Sequence, residues 1–469
     1  MKEKYSEENK NEIKNEEMNK PAENKMGIMP IDKLLISVSL PMIISMIVQA
    51  LYNIVDSVFV SKISENALTA VSLAFPMQIL TIAVGAGTGV GINALLSRRL
   101  GEKKFDDVNK AATNGIFLIF LSYIAFALIG IFLTRSFFAV QTDNAEIIDY
   151  GTQYLRICLI MGFGIFGQMK FERLLQSTGK SIFSMITQGT GAIINLILDP
   201  IMIFGYFGFP KMGVAGAALA TVTGQIIAMI LGIIFNIKYN KEINFSFKGF
   251  RPDGKIIKMI YSVGIPAMIM QAIGSVMTYS MNKILLMFSP TAVAVFGVYF
   301  KLQSFIFMPV FGLNNGVIPI VAYNYGIRNK KRIMDTIKLS MIVAVLIMIC
   351  GVIVFETIPD KLLLIFDASD DMVNMGTVAL RIIGTHFVLA GFSIIIMSVF
   401  QAFGEGMVSL IVSISRQLVV LIPVAYIFAK FFGLDYVWLS FPIAEIVALT
   451  LCLIFFKRLY NKKIKNLSD

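Results

Sequence analysis

Ser45, Gln49, Asn53 and Asp56 lie in one apolar stretch at spacings of four, four and three, so a helix sets them along a single face. Gln188, Asn195 and Asp199 form a second stripe by the same count. Both stripes end in an acid, and an ionisable group within an apolar span is a functional hypothesis by default. Two carboxylates facing each other at low dielectric cannot both ionise comfortably, so such a pair takes up a proton or recruits a cation. Asn53 and Asn195 add neutral oxygens and Thr221 a hydroxyl, a set of oxygen ligands that suits a hard cation such as Na+ as well as H+. Pro200, directly after Asp199, removes a backbone donor and gives the helix a place to bend. The rival reading makes Asp56 and Asp199 buried, hydrogen-bonded bridges between helices.

Such stripes need long apolar helices to carry them. Of the 469 residues, 56% are hydrophobic and 15% charged, with a mean hydropathy of +0.75, a balance that excludes a soluble domain of this size. Spans are expected near 34–60, 68–96, 111–134, 151–169, 182–205 and 213–236 in a first half. Six more follow near 257–288, 292–322, 336–357, 376–402, 408–429 and 437–456. Each can cross about 30 Å of hydrocarbon, which roughly 20 residues suffice to do. The expected fold is an all-α integral membrane protein of twelve transmembrane helices.

The chain repeats itself at an offset of 225. Pro41 pairs with Pro266, Gln78 with Gln303, Gly87 with Gly312, Gly91 with Gly316 and Gly101 with Gly326. Further on, Leu155-Arg156-Ile157 matches Leu380-Arg381-Ile382, Gln176 matches Gln401, and Gly179 matches Gly404. The matches concentrate on residues that kink helices or bring them close, not on Ile, Leu and Val. Six spans is an even number, so the halves are parallel repeats around a central cavity, an arrangement that transporters use. The domains expected are a disordered tail (1–30), an N-lobe (31–237), a linker (238–256), a C-lobe (257–457) and a basic tail (458–469).

A formal charge of +11 could signal nucleic acid, so the positions of Lys and Arg decide. Most fall in every second loop, while the other loops hold only Lys62, Arg135, Lys211, Lys361 and Lys430. The positive-inside rule then places both termini in the cytoplasm and explains the charge without nucleic acid. The outer loops lean acidic, with Asp143, Glu146, Asp149, Asp367, Asp370 and Asp371. Cys158, Cys350 and Cys452 stand singly within spans and read as small core residues, not as a disulfide framework or a zinc site. Lys170, Glu172 and Arg173 read as a salt-bridged helix end at the interface.

The acids have no repeat copy, since Met281 and Val424 occupy the equivalent positions. The second half instead carries Lys283, Lys301, His386 and Glu445, with Gln271, Ser275, Thr278 and Asn282 as a polar stripe. His386, the only histidine, reads as a packing residue. Gln49, Tyr52, Gln78, Gln271, Thr278, Asn282 and Lys283 are the candidates for lining a substrate cavity. Its many Met and Phe could accept chemically unlike apolar cations.

The segment Asn195-Leu-Ile-Leu-Asp199-Pro200, the first-span Asp56 and Pro41, and the Gly87 and Gly91 pair resemble the multidrug and toxic compound extrusion transporters. The resemblance covers residues 30–460 and is nearest to the bacterial branch with an Asp in the first helix. It implies an N-lobe cation site at Asp56, Asn195, Asp199 and, at looser spacing, Thr221. The expected function is secondary antiport: export of small amphipathic, often cationic drugs or toxins against Na+ or H+. A monomer in the plasma membrane, surrounded by lipid and without cofactor or nucleic acid, fits that reading. The alternatives are a flippase for lipid-linked precursors, which would want a cationic cavity, and a membrane-embedded transferase, which would want Asp-rich or His-rich metal motifs.

Overall fold

Lipid offers no partner to backbone N–H and C=O groups, so apolar stretches of this length must close their hydrogen bonds internally. The computed structural model, which describes residues 24–245, 250–366 and 368–468, is helical accordingly. The first half holds α1 (Ile31–Ser61), α2 (Glu65–Gly101), α3 (Phe105–Phe132), α4 (Ala145–Ile160), α5 (Phe163–Ser177), α6 (Ser181–Phe204) and α7 (Val214–Tyr239). The second holds α8 (Gly254–Leu285), α9 (Pro290–Gly326), α10 (Lys330–Thr357), α11 (Asp370–Gly384) and α12 (Phe387–Ala402). It ends with α13 (Gly406–Ile414), a π-helical turn (Ser415–Leu421), α14 (Ile422–Phe431) and α15 (Ser440–Leu459).

Among the described residues ten helical segments are long and apolar enough to cross a membrane, and α11 with α12, bent by 46°, gives an eleventh. Helices α4 and α5 make the twelfth crossing, each too short to span alone. Continuous spans over 151–169 and 376–402 are therefore a correction: both are broken, at Met161–Gly162 and at Thr385–His386. Gly162 lies in the first break and Gly164 just after it, where low helix propensity lets the chain turn.

The offset of 225 holds helix by helix. The bounds of α2 and α3 recur residue for residue in α9 and α10. The Ser64 side chain accepts from the Ala67 N–H to start α2, and Ser289 accepts from Ala292 to start α9. Gly179 and Gly404 take left-handed φ of 81° and 79° in matching turns.

The halves meet where α2 packs on α8 and α1 on α9. A Cβ at Gly91 would run into the Ile260 carbonyl, and one at Gly316 into Ser39. These contacts, and that of Gly101 with Gly326, lie toward the end of the bundle that carries both termini, here the near end. Arg98 sits 4.7 Å over the Tyr325 ring there, joining the halves again.

Helix already forms before residue 30, which corrects the boundary of the expected tail; residues 1–23 lie outside the described set. Lys25–Ile28 forms one helical turn with Met26 fully buried. Asn24 Nδ2 donates to the Thr178 carbonyl (3.0 Å) and to Glu242 (3.1 Å), in the first half. The Met26 carbonyl accepts from Asn324 and Arg332 (both 3.0 Å), in the second. The expected linker is pinned at its edge, where Asn114 accepts from the Asp253 N–H at 2.9 Å, and its residues 246–249 lie outside the described set. The basic C-terminal stretch also packs: Ile464 is buried and Lys463 pairs with Glu405 at 2.6 Å.

Gly91→Ala is expected to lower the thermal midpoint of detergent-solubilised protein, at the roughly 1–3 kcal/mol that overpacking costs, because the neighbouring Ile260 carbonyl is backbone and cannot swing aside. Gly189→Ala faces open space on α6 and should leave the midpoint unchanged or slightly raised. Equal shifts at the two sites would refute this account of the interface.

Candidate functional site

Both polar stripes run toward the far end of the bundle, and there they meet. Asp56 on α1 and Asp199 on α6 each stand five residues before the end of their helix. Their carboxyl groups are hydrogen-bond neighbours. Asp199 is fully buried. Pro200 leaves the Leu196 carbonyl without its helical donor, which loosens α6 beside the acid.

Asn195, one turn earlier, ties α6 to α7. Its Nδ2 donates to Asp199 Oδ1 at 3.3 Å and to Thr221 Oγ1 on α7 at 3.2 Å. This leaves three buried oxygens without a hydrogen-bond partner among the described residues: Asp56 Oδ1, Asp199 Oδ2 and Asn195 Oδ1. Two acids in contact require a proton or a cation between them, and unpaired oxygens around such a pair are what either would engage. The site therefore has the chemistry to exchange a proton or to hold a hard cation.

A second ring of groups surrounds the acids. Tyr52 on α1 lies beside Asp56 and Asp199, so it belongs with the acids as much as with a substrate cavity. Tyr154 and Cys158 on α4 lie beside Asp56 and bond to each other. Gln78 Nε2 donates to the Tyr154 hydroxyl at 3.0 Å. Sequence reading missed Tyr154 and took Cys158 for a core residue. Their spacing of four on one helical face was the available signal, but nothing in the spacing said which neighbour that face meets.

Deeper in the bundle, Gln188 donates to Gln49 at 3.0 Å and zips α6 to α1. Ser45 turns to its own backbone, donating to the Pro41 carbonyl at 2.9 Å. The Asn53 side chain lies outside the described residues. On α8, Gln271, Ser275 and Lys283 are exposed and Asn282 is half-buried, while Thr278 donates to the Gly274 carbonyl at 2.9 Å. None of these reaches the acids. Lys283 lies 5.7 Å over the Tyr279 ring, and Lys301 lies 5.6 Å over Phe366. His386 is packed among Phe307, Phe387 and Phe441.

The Lys170 cluster departs from expectation. Lys170 and Glu172 are buried, and no ion pair joins them among the described residues. Glu172 accepts from Gln168 at 2.9 Å, and Arg173 reaches across the halves to Asn315 at 3.0 Å. Lys170 packs on Gly115, a contact open only because that residue has no side chain. Residues two apart point to different helical faces, so Lys170 and Glu172 cannot pair.

Comparison with known proteins finds relatives of the whole fold. The MatE family profile matches residues 41–201 and 266–427, once in each half. The multidrug export protein MepA of Staphylococcus haemolyticus (strain JCSC1435) is 30% identical over 432 residues, covering 92% of this chain and 94% of that protein. MepA of Staphylococcus aureus (strain MSSA476) is 30% identical over 422 residues, covering 89% and 91%. Among solved structures, an outward-facing multidrug resistance MATE family transporter of the MOP superfamily superposes with a TM-score of 0.89 at 25% identity, covering 95% of this chain and 99% of that one. A MATE crystal structure in a bent conformation gives 0.87 at 26% identity, covering 93% and 96%.

Asn195→Leu strips the donor from both Asp199 and Thr221 and should cost about 1–3 kcal/mol, whereas Thr221→Val removes one acceptor and should cost about 1 kcal/mol. Thermal unfolding in detergent reads both changes. An unshifted midpoint in Asn195→Leu would remove Asn195 from its place as the tie between α6 and α7.

Proposed function

The chain belongs to the MatE family, and from that premise we propose that it exports amphipathic, often cationic drugs or toxins in exchange for Na+ or H+ by alternating access. The observation that carries this reading is the Asp56 and Asp199 contact with its three unpaired buried oxygens. A proton or Na+ entering there neutralises the pair and draws α1, α6 and α7 together through Asp56, Asp199, Asn195 and Thr221. Pro200 lets the end of α6 follow. An ion shifts a conformational equilibrium only by its differential affinity for the two states, so this repacking is the step that couples it to substrate release.

The path for substrate lies between the halves. Gln271, Ser275, Tyr279 and Lys283 are exposed and recur every four residues, forming one stripe on α8. Polar groups facing lipid are costly, so this stripe faces the cavity and Gln271 and Asn282 meet the substrate there. Lys283 and Lys301 each cover a separate aromatic ring, and dispersed lysines do not make the cradle for a pyrophosphate that a lipid flippase would need. The near end, rich in Lys and Arg, faces the cytoplasm of a cell whose plasma membrane holds the transporter as a monomer.

Asp199→Asn should abolish ethidium efflux from reconstituted vesicles under an imposed Na+ gradient and under an imposed pH gradient, while remaining monodisperse in detergent. Which gradient drives the wild type identifies the coupling ion. Driven efflux by Asp199→Asn at the wild-type rate would sink the proposal.

A further inference from the structure

The second half lacks the acid pair, yet it buries a charged cluster of its own. Glu445 on α15 is 3% exposed, and its Oε2 accepts from Arg416 Nη1 at 3.2 Å. His386 at the break between α11 and α12, Tyr299 on α9 and Cys452 on α15 all lie near enough to interact with its charge. Among the described residues Arg416 is the one charged group paired with it. Three buried atoms here have no hydrogen-bond partner among the described residues: Glu445 Oε1, the Tyr299 hydroxyl and the Trp438 indole N–H. Tyr299 and Trp438 are fully buried. A purely structural ion pair is favourable in the interior only when further hydrogen bonds satisfy its remaining atoms, and this one leaves a carboxylate oxygen bare.

The position of Arg416 depends on an unusual piece of backbone. It stands in the π-helical turn Ser415–Leu421, ahead of Pro423, which withholds the donor that the Val419 carbonyl would take in an α-helix. π-turns interrupt α-helices mostly at functional sites. Removing the extra residue of such a turn rotates one flank against the other by about 100°. Such a rotation would carry Arg416 away from Glu445 and leave a buried carboxylate without its cation.

We infer that Glu445 is a second proton site, loaded when Arg416 swings away and emptied when it swings back. The chemistry is a single proton transfer: carboxylate and proton give carboxyl, with no other bond made or broken. The Tyr299 hydroxyl is the neighbour able to accept the new O–H. This inference rests on reading the chain as a cation-coupled exporter, but on residues remote in sequence from the acids of the first half. Its consequence is electrical. Exchange of a monovalent cationic drug against one cation moves no net charge and gains nothing from the membrane potential. One additional proton makes the exchange electrogenic, worth roughly fiftyfold in the drug gradient per 100 mV.

Full-length protein in vesicles, loaded with ethidium and held at a potassium diffusion potential, separates the possibilities. The wild-type ethidium gradient should follow the potential with that roughly fiftyfold dependence per 100 mV. Glu445→Gln should still exchange under the ion gradient that drives the wild type, but lose its response to potential. Asp199→Asn should lose driven exchange under every gradient, and its outcome bears on the first-half site alone. Electroneutral exchange by the wild type overturns the second site. So does a potential response unchanged in Glu445→Gln, or loss of ion-driven exchange in that variant. If Glu445→Gln is not monodisperse, Arg416→Gln/Glu445→Gln replaces it, since a neutral pair of similar volume leaves no buried charge unpaired.

Discussion

Backbone touches backbone where α2 crosses α8 and where α1 crosses α9, and the rest of the molecule is arranged around that approach. Hydrophobic burial cannot join helices already dissolved in lipid, so the halves must hold by close packing and by polar ties. Small residues at 87, 91, 101, 312, 316 and 326 permit the first, and Arg98, Arg173 and Arg332 provide the second. Because these contacts gather toward the near end, the helix ends that carry Asp56 and Asp199 are not clamped by them. The acid pair therefore sits on the less restrained side of the joint.

The two halves share a skeleton and differ in chemistry. Caps, left-handed turns and helix bounds recur at 225, yet the first half places carboxyl against carboxyl where the second places guanidinium against carboxylate. The first arrangement has no cation of its own, whereas the second holds one in Arg416 and still leaves Glu445 Oε1 bare. A shared fold thus sets where helices run, while single substitutions at a few facing positions decide which charges a buried site brings together.

Much of this was legible from sequence, for reasons that also explain what was not. Gly, Pro and Gln recur at the offset because their backbone and packing roles cannot be filled by other residues, so the repeat could be read directly. Asp56 and Asp199 emerged because a period of 3.6 residues assigns a face, and a buried acid on such a face is rare. Tyr154 and Cys158 stayed hidden because the period fixes a face but not the neighbour opposite it. The breaks in the fourth and tenth crossings, and the meeting of Arg416 with Glu445, depend on departures from regular helix that counting by 3.6 cannot register. Lys170 looked interfacial because a cation at a helix end usually is, and only the gap over Gly115 shows it buried.

The turn at Lys25–Ile28 also bears on how the protein is made. Its Met26 carbonyl is held by Asn324 and Arg332, which follow it by 298 and 306 residues. At a synthesis rate of roughly 5–20 residues per second, those partners leave the ribosome tens of seconds after the turn itself. The first described turn of the chain thus waits for the second half before that carbonyl is satisfied. The turn can be seated only when both halves are present, so it closes over their joint and over neither half alone.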